Sequence, residues 1–269
     1  VPELPEVEHL AQQLRAAIVG RTVERVQARR RGMLNIPPDE ASARLRGLVR
    51  GVERRAKEVV VRGERASAWL HLGLGGRARL ADAAEAEGAP GALVFGDGGA
   101  LLLEDVFMGH LHVLSPDETE ARWQRSGPEP LASAFDARAL AQALAQKGRA
   151  SLKAALVDQA CLAGIGNLYA DEALLIARLH PLRRAGSLTD DECARLHAAL
   201  CQILREAIAA GGEEGYVDLH GTPGRYRPRI HRQPRCGRCG SATQALRVSG
   251  RMTTVCPACQ PAPDGARDA

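Results

Sequence analysis

Four cysteines carry the most specific chemistry in this chain. Two residues lie between Cys236 and Cys239, two between Cys256 and Cys259, and sixteen between the pairs. Two such knuckles, with Gly237, Gly240 and Pro257 to turn the backbone, have the spacing of a zinc ribbon or hairpin finger. Four thiolates suit one Zn²⁺ in a closed tetrahedral site, structural because no position is left open to a substrate. The spacing would also serve two disulfides, against which stand an odd total of seven Cys and an amino terminus without a secretion signal. Cys161, Cys193 and Cys201 lack partner spacing and read as buried inert thiols. Between the knuckles, Ser249-Gly250-Arg251 reads as a hairpin tip that holds Arg251 outward on a stiff support, where it can meet a polyanion without a large loss of side-chain entropy.

Two further stretches have residues fit for chemistry. Pro2-Glu3-Leu4-Pro5-Glu6-Val7-Glu8 sets two prolines and three carboxylates ahead of a helical pattern. Prolines and acids are also ordinary helix-start residues, so by itself the stretch has both readings. Gly164-Ile165-Gly166-Asn167 precedes a second helical pattern, and reads either as a plain turn capped by Asn167 or as a phosphate cradle of backbone N–H groups.

Charge adds direction. Of a net +4, all resides beyond residue 210: from 211 to 269 there are nine Arg and five acids, while bases and acids balance before it. Leu219 to Pro263 holds eight Arg and no acid, the footprint of a segment that lies on a polyanion or, more plainly, of a solvated basic face. At 45% hydrophobic and 25% charged, with no run near the roughly 18 apolar residues of a spanning helix, the composition is that of a water-soluble globular protein. The cytosol is the expected compartment.

The elements that must position these residues follow from periodicity. Val7, Leu10, Leu14 and Ile18 share one helical face, and Gly20 ends it. Strands are expected at 21–29, 51–62, 68–72, 77–80, 92–95 and 100–103, and 82–91 reads as an exposed acidic loop. After the Ser126-Gly127-Pro128-Glu129-Pro130 linker, helices are expected at 136–146, 151–159, 168–177 and 189–210, capped by Asp136, Ser151, Asn167 and Thr189. The fold class is therefore α+β, divided as a β-rich domain 1–125, a helical domain 126–212 and a small Arg-rich appendage 213–269 that needs its metal in order to fold.

Taken together, the landmarks resemble the bacterial formamidopyrimidine-DNA glycosylase and endonuclease VIII family, nearer the first branch, over almost the whole chain. They are Pro2–Glu8, Arg54-Arg55-Ala56-Lys57, His71-Leu72-Gly73-Leu74-Gly75, Gly127-Pro128-Glu129-Pro130-Leu131, Gly164 to Glu172, and Gly250-Arg251 within the four-cysteine finger. The resemblance implies a β-sandwich with an opening helix, a helix-two-turns-helix domain and a zinc finger. It implies a bifunctional glycosylase and abasic-site lyase of base-excision repair that removes oxidised purines, formamidopyrimidine and 8-oxoguanine, from double-stranded DNA, as a monomer. Pro2 would be the nucleophile, Glu3 the acid and base at the sugar, Glu6 a supporting carboxylate and Lys57 a contact near the lesion. His71, Lys153, Asn167 and Arg251 would hold DNA, and Leu74, Phe107 and Met108 would fill the space of an extruded nucleotide.

Two departures accompany it. Val1 precedes Pro2, and a proline nitrogen within an amide is no nucleophile; we expect Val1 to stand for an alternative start codon, inserted as Met and removed. Where relatives carry Asp-Pro-Arg-Arg-Phe-Gly, this chain has Glu104-Asp105-Val106-Phe107-Met108-Gly109. The intercalating arginine and its bonds to the orphaned cytosine are absent. A diverged paralogue acting on abasic sites, other oxidised bases or single strands, and a non-catalytic zinc-finger DNA binder, are the alternatives these departures raise.

Overall fold

The computed structural model describes residues 1–263; the end of the expected 213–269 appendage, 264–269, lies outside the described residues. The chain forms two units: Val1–Arg125 with Ala210–Arg225, and Ser126–Ala209 with the chain from Tyr226 onward.

In the first unit the order is α1 (Leu4–Ile18), β1 (Thr22–Gln27), α2 (Pro38–Leu45), β2 (Gly47–Leu48), β3 (Gly51–Arg55), β4 (Glu58–Arg62), β5 (Ser67–His71), β6 (Arg77–Asp82), β7 (Gly91–Phe95), β8 (Gly99–Glu104), β9 (His110–Leu114) and α3 (Pro116–Arg125). The strands make two antiparallel sheets, β2-β1-β7-β8-β6 and β3-β4-β5-β9. One core joins α1 to both: Val7, Leu10, Leu14 and Ile18 meet Val23 and Val26, Val59 and Val61, Leu93 and Phe95, Leu101 and Leu103, and Leu111 and Val113. The two-residue spacing in β4, β7, β8 and β9 is the alternation of a sheet with one face inward, and in β1 a bulge between Val23 and Arg25 spaces Val23 and Val26 three apart. The outward faces are covered as well. Val60, Trp69 and Leu114 pack beneath Trp123 of α3, which is why the Val59-Val60-Val61 run is buried on both faces.

Several expected boundaries shift for physical reasons. The single strand expected at 51–62 is the β3–β4 hairpin, turned at Ala56-Lys57 with Ala56 at φ 51°, a left-handed position without a Gly or Asn to signal it. The loop expected at 82–91 contains a 3₁₀ turn, Ala83–Gly88, whose Ala86 is buried against the outer face of the first sheet.

The second unit contains α4 (Ala137–Gln146), α5 (Leu152–Val157), α6 (Asn167–Ala177), α7 (Asp190–Ala209) and the hairpin β10 (Gln244–Val248) and β11 (Arg251–Val255). Asp136 and Ser151 accept the backbone N–H groups of Ala139 and Ala154, and Thr189 forms a reciprocal box with Glu192, so three expected caps are present. At α6 the cap is Gly166, with Asn167 first in the helix, and this frees the Asn167 side chain for another task. No helix among the described residues is long and apolar enough to cross a membrane.

Candidate functional site

Eight of the expected site residues belong to the first unit. The start of α1 organises the acidic ones. Glu3 caps the helix in a capping box: its side chain accepts the backbone N–H of Glu6, and its own N–H donates to Glu6 Oε2 at 2.8 Å. The other Glu6 oxygen accepts the Glu213 N–H at 3.0 Å, so one carboxylate joins the helix start to the returning 210–225 segment. Both acids are buried, Glu3 at 7% exposure and Glu6 at 3%. Half-buried Pro2 and exposed Val1 lead into them. Tyr216 of the same segment is also buried; burial first, then the charges of Glu6 and Asp218, push its phenol up, so it stays protonated in neutral solution.

Lys57 occupies the tip of the β3–β4 hairpin. Arg54 fixes that tip against α1 by donating to Glu8 Oε2 at 2.9 Å and to the Ala56 carbonyl at 3.0 Å. Glu8 and Arg54 thereby tie the turn that carries Lys57 to α1, a link that residue type alone did not disclose.

Leu74, Phe107 and Met108 form one apolar knob. Two turns are pressed together: Leu74 N–H donates to the Phe107 carbonyl at 2.7 Å, and Gly73, at φ 64°, lies so close that a Cβ would overlap Phe107 and Gly109 backbone. The three side chains are 46%, 68% and 69% exposed, which makes them half of the exposed large hydrophobics among the described residues. A rigidly mounted apolar tip in water is suited to insertion between stacked bases. His71 lies at its base, with Nδ1 accepting the Gly73 N–H at 3.1 Å.

The remaining expected residues belong to the second unit. Asn167 donates from Nδ2 to the Met252 carbonyl at 2.8 Å, tying α6 to β11 directly beside Arg251. Arg251 is exposed on the first position of β11, across from Val248, as a hairpin tip requires. Lys153, expected to touch DNA, is interior at 1% exposure. Its Nζ donates to Asp171 Oδ1 at 2.5 Å and to the Asn167 carbonyl at 2.6 Å, so it braces Asn167 from within. Asp171 also receives His231 Nδ1 at 2.7 Å.

Neighbouring Glu172 is fully buried and was not singled out from the sequence. Its carboxylate accepts the Tyr226 hydroxyl and the backbone N–H groups of Arg229, Ile230 and His231 at 2.8 to 3.1 Å, fastening to α6 the chain that leads into the finger. Two adjacent acids in a largely apolar helix are the signal that would have found it, since buried carboxylates need donors to satisfy them.

The ligand atoms of Cys236, Cys239, Cys256 and Cys259 all lie within 4.8 Å of one another, and Cys239 and Cys256 Sγ are 3.5 Å apart. Metal-to-sulfur bonds of about 2.3 Å in a tetrahedron require sulfurs about 3.8 Å apart, so the four fit one zinc ion. The Arg238 N–H at 3.4 Å from Cys236 Sγ supplies the kind of outer contact that fixes a thiolate ligand. Cys161 and Cys193 are buried, and burial pushes both thiols up, in keeping with inert packing.

Comparison with known proteins gives matches along the chain. Residues 1–106 match the formamidopyrimidine-DNA glycosylase N-terminal domain, 126–217 the formamidopyrimidine-DNA glycosylase H2TH domain, and 234–262 a zinc finger found in FPG and IleRS. A formamidopyrimidine-DNA glycosylase of Geobacillus kaustophilus is 37% identical over 274 residues, covering 97% of this chain and 100% of its own length. One from Halorhodospira halophila is 38% identical over 270 residues, with 97% and 100% covered. Among solved structures, Lactococcus lactis Fpg in complex with DNA containing an abasic site superposes with a TM-score of 0.86 at 29% identity, covering 97% of this chain and 100% of that one. The MutM (Fpg) protein of Thermus thermophilus gives 0.84 at 35% identity, with 96% and 98% covered.

Proposed function

The chain belongs to the formamidopyrimidine-DNA glycosylase family, and we propose that it excises oxidised purines from duplex DNA and then cuts the strand at the resulting abasic site. The observation that carries this is the helix start, where Pro2 leads into two buried carboxylates locked to each other.

An α-amine has a pKa about 2.5 units below that of a lysine, so part of it is neutral at physiological pH. A terminal Pro2 would attack C1′ of the damaged nucleoside, and the base leaves with the glycosidic electron pair and takes the proton that the Pro2 nitrogen gives up on forming its new bond. Glu3 gives a proton to the sugar ring oxygen as the ring opens, leaving a cationic iminium between Pro2 and C1′. Loss of a C2′ proton to Glu3 then expels the 3′ phosphate, loss of a C4′ proton expels the 5′ phosphate, and water releases Pro2. Glu6 keeps Glu3 in place through the Glu3 N–H. The chemistry requires Pro2 to be the terminal residue of the working protein.

Lys57, His71, Asn167 and Arg251 are assigned to phosphates, and Leu74, Phe107 and Met108 to the gap left by the extruded nucleotide. Cys236, Cys239, Cys256 and Cys259 would hold a zinc ion that ties together the two ends of the β10–β11 hairpin and takes no part in the reaction. On this reading the protein works as a cytoplasmic monomer on nucleoid DNA.

Borohydride reduction tests the assignment. Incubation with lesion or abasic duplex followed by reduction should give a covalent adduct that peptide mass spectrometry places on Pro2. An adduct on another residue, or none, leaves a zinc-bearing DNA-binding protein without this catalysis.

A further inference from the structure

Three imidazoles stack on the outer face of the four-stranded sheet. The pairing of β5 with β9 sets His71 opposite His110 and Trp69 opposite His112, so all four side chains share a face. The rings of His71 and His110 are 5.3 Å apart and inclined by 13°; those of His110 and His112 are 4.0 Å apart and inclined by 20°. Glu58 of β4 and Arg122 of α3 close the group. Glu58 Oε1 accepts His110 Nε2 at 2.7 Å and Arg122 Nη2 at 2.5 Å, Glu58 Oε2 accepts Arg122 Nε at 3.2 Å, and Arg122 Nη1 is 3.1 Å from His112 Nδ1.

The proton positions follow from donor and acceptor chemistry. A guanidinium only donates, so His112 Nδ1 accepts and its proton is on Nε2. Burial, with the charges of His110 and Arg122, keeps His112 neutral, its pKa lowered to about 4. His110 Nε2 has both Glu58 and, at 2.8 Å, Arg122 in reach. Because a carboxylate only accepts, Nε2–H points to Glu58 and the Arg122 fork serves the same carboxylate. Burial raises the Glu58 pKa, but His110 and Arg122 together outweigh it and leave it lowered, so Glu58 is ionised. At the far end, His71 Nδ1 accepts from Gly73, which leaves the His71 proton on Nε2.

We propose that Glu58, His110, His112 and Arg122 are positioning residues for His71, holding its imidazole neutral in the Nε2–H form so that Nδ1 keeps the Gly73 hydrogen bond and the Leu74–Phe107 knob keeps its place. This rests on the reading of the knob as the element that enters the duplex. Protonated on both nitrogens, His71 would face the Gly73 N–H donor to donor, and the turn before Leu74 would keep its bond to Phe107 but lose this anchor at its base. The charged and titratable groups facing His71 are Glu58 from β4, Arg122 from α3, His110 and His112 from β9, and Lys57 from the β3–β4 turn. Burial lowers the His71 pKa most, His110, Lys57 and Arg122 lower it further, and Glu58 opposes them. The anchor is therefore intact at neutral pH and is lost as pH falls through the depressed His71 pKa.

Ring-nitrogen NMR of the zinc-loaded full chain reads this without DNA. In the wild type His71 should be the Nε2–H tautomer, with a midpoint below that of free histidine. Arg122→Gln should raise that midpoint, Glu58→Gln should lower it, and Arg122→Lys should restore it. The second readout is 2-aminopurine fluorescence beside an abasic-site analogue in duplex DNA, which reports unstacking by the knob. Its acid limit should move with the NMR midpoint in each variant. A His71 proton on Nδ1, midpoints that fail to move in opposite directions, or an unstacking limit that stays fixed while the midpoints move would each overturn the proposal. Neither readout needs base release, so failure of the catalytic reading would show separately, as normal unstacking without a trapped adduct.

Discussion

Glu3 meets two demands with one carboxylate, capping α1 and, as proposed, moving protons at the sugar. Glu3→Gln separates them, because the amide oxygen can still cap the helix but the amide cannot deliver a proton. Base release in single-turnover assays should fall by about 10²- to 10⁴-fold while gel-shift affinity for lesion duplex stays within about twofold; near-normal release would remove Glu3 from its role. Lys153 gives a different kind of test. Its ammonium and the Asp171 carboxylate are both almost fully buried, so Lys153→Met strands a charge in the interior. Urea denaturation should show a loss of about 3 kcal/mol, and unchanged stability would mean that the pair is solvated. The four cysteines were legible because their spacing is local, whereas Pro2 and Glu3 took their assignments from the resemblance to a family and not from spacing. The interior place of Lys153 was not legible, for it depends on Asp171, eighteen residues on, which in turn depends on His231, sixty residues further.

Among the elements, α1 was plain in the sequence because four apolar residues repeat at helical spacing with nothing to compete. Helices α2 and α3 and strand β9 were missed. Thr119 is the one buried residue within Pro116–Arg125, and His110 and His112 interrupt the apolar pattern of β9; packing beneath Trp123 and the histidine stack stabilise what propensity does not. The finger is legible in its ligands but small in its core, where Cys236 and Cys256 cluster with Leu175 and Ile230. Its strands therefore rely on the metal. Cys256→Ser should abolish bound zinc in elemental analysis and weaken lesion-duplex binding by about tenfold or more through loss of the Arg251 support. Full affinity in a zinc-free variant would show that the finger does not hold DNA.

For the whole molecule, the linker near Ser126 was visible as Gly-Pro punctuation, whereas the return of Ala210–Arg225 to the first unit was not. That return is fixed by bonds such as Gln13 Nε2 to Asp218 Oδ2 at 2.7 Å, between residues 205 apart, which no local pattern announces. The uneven charge predicts behaviour as well. With eight Arg and no acid over 219–263, duplex affinity should decline with salt at a log–log slope of about −3 or steeper in fluorescence anisotropy, and a flat dependence would mean that the basic stretch is merely solvated. The Glu172 anchorage decides how far damage can spread once zinc is stripped. Its four bonds end at His231, five residues ahead of the first metal ligand, and act as a firebreak: fraying that starts among the cysteines should halt there. Trypsin added after chelation should then nick at Arg235, Arg238, Arg247 and Arg251 and spare Arg229, leaving a trimmed protein ready to be rearmed with a different tip.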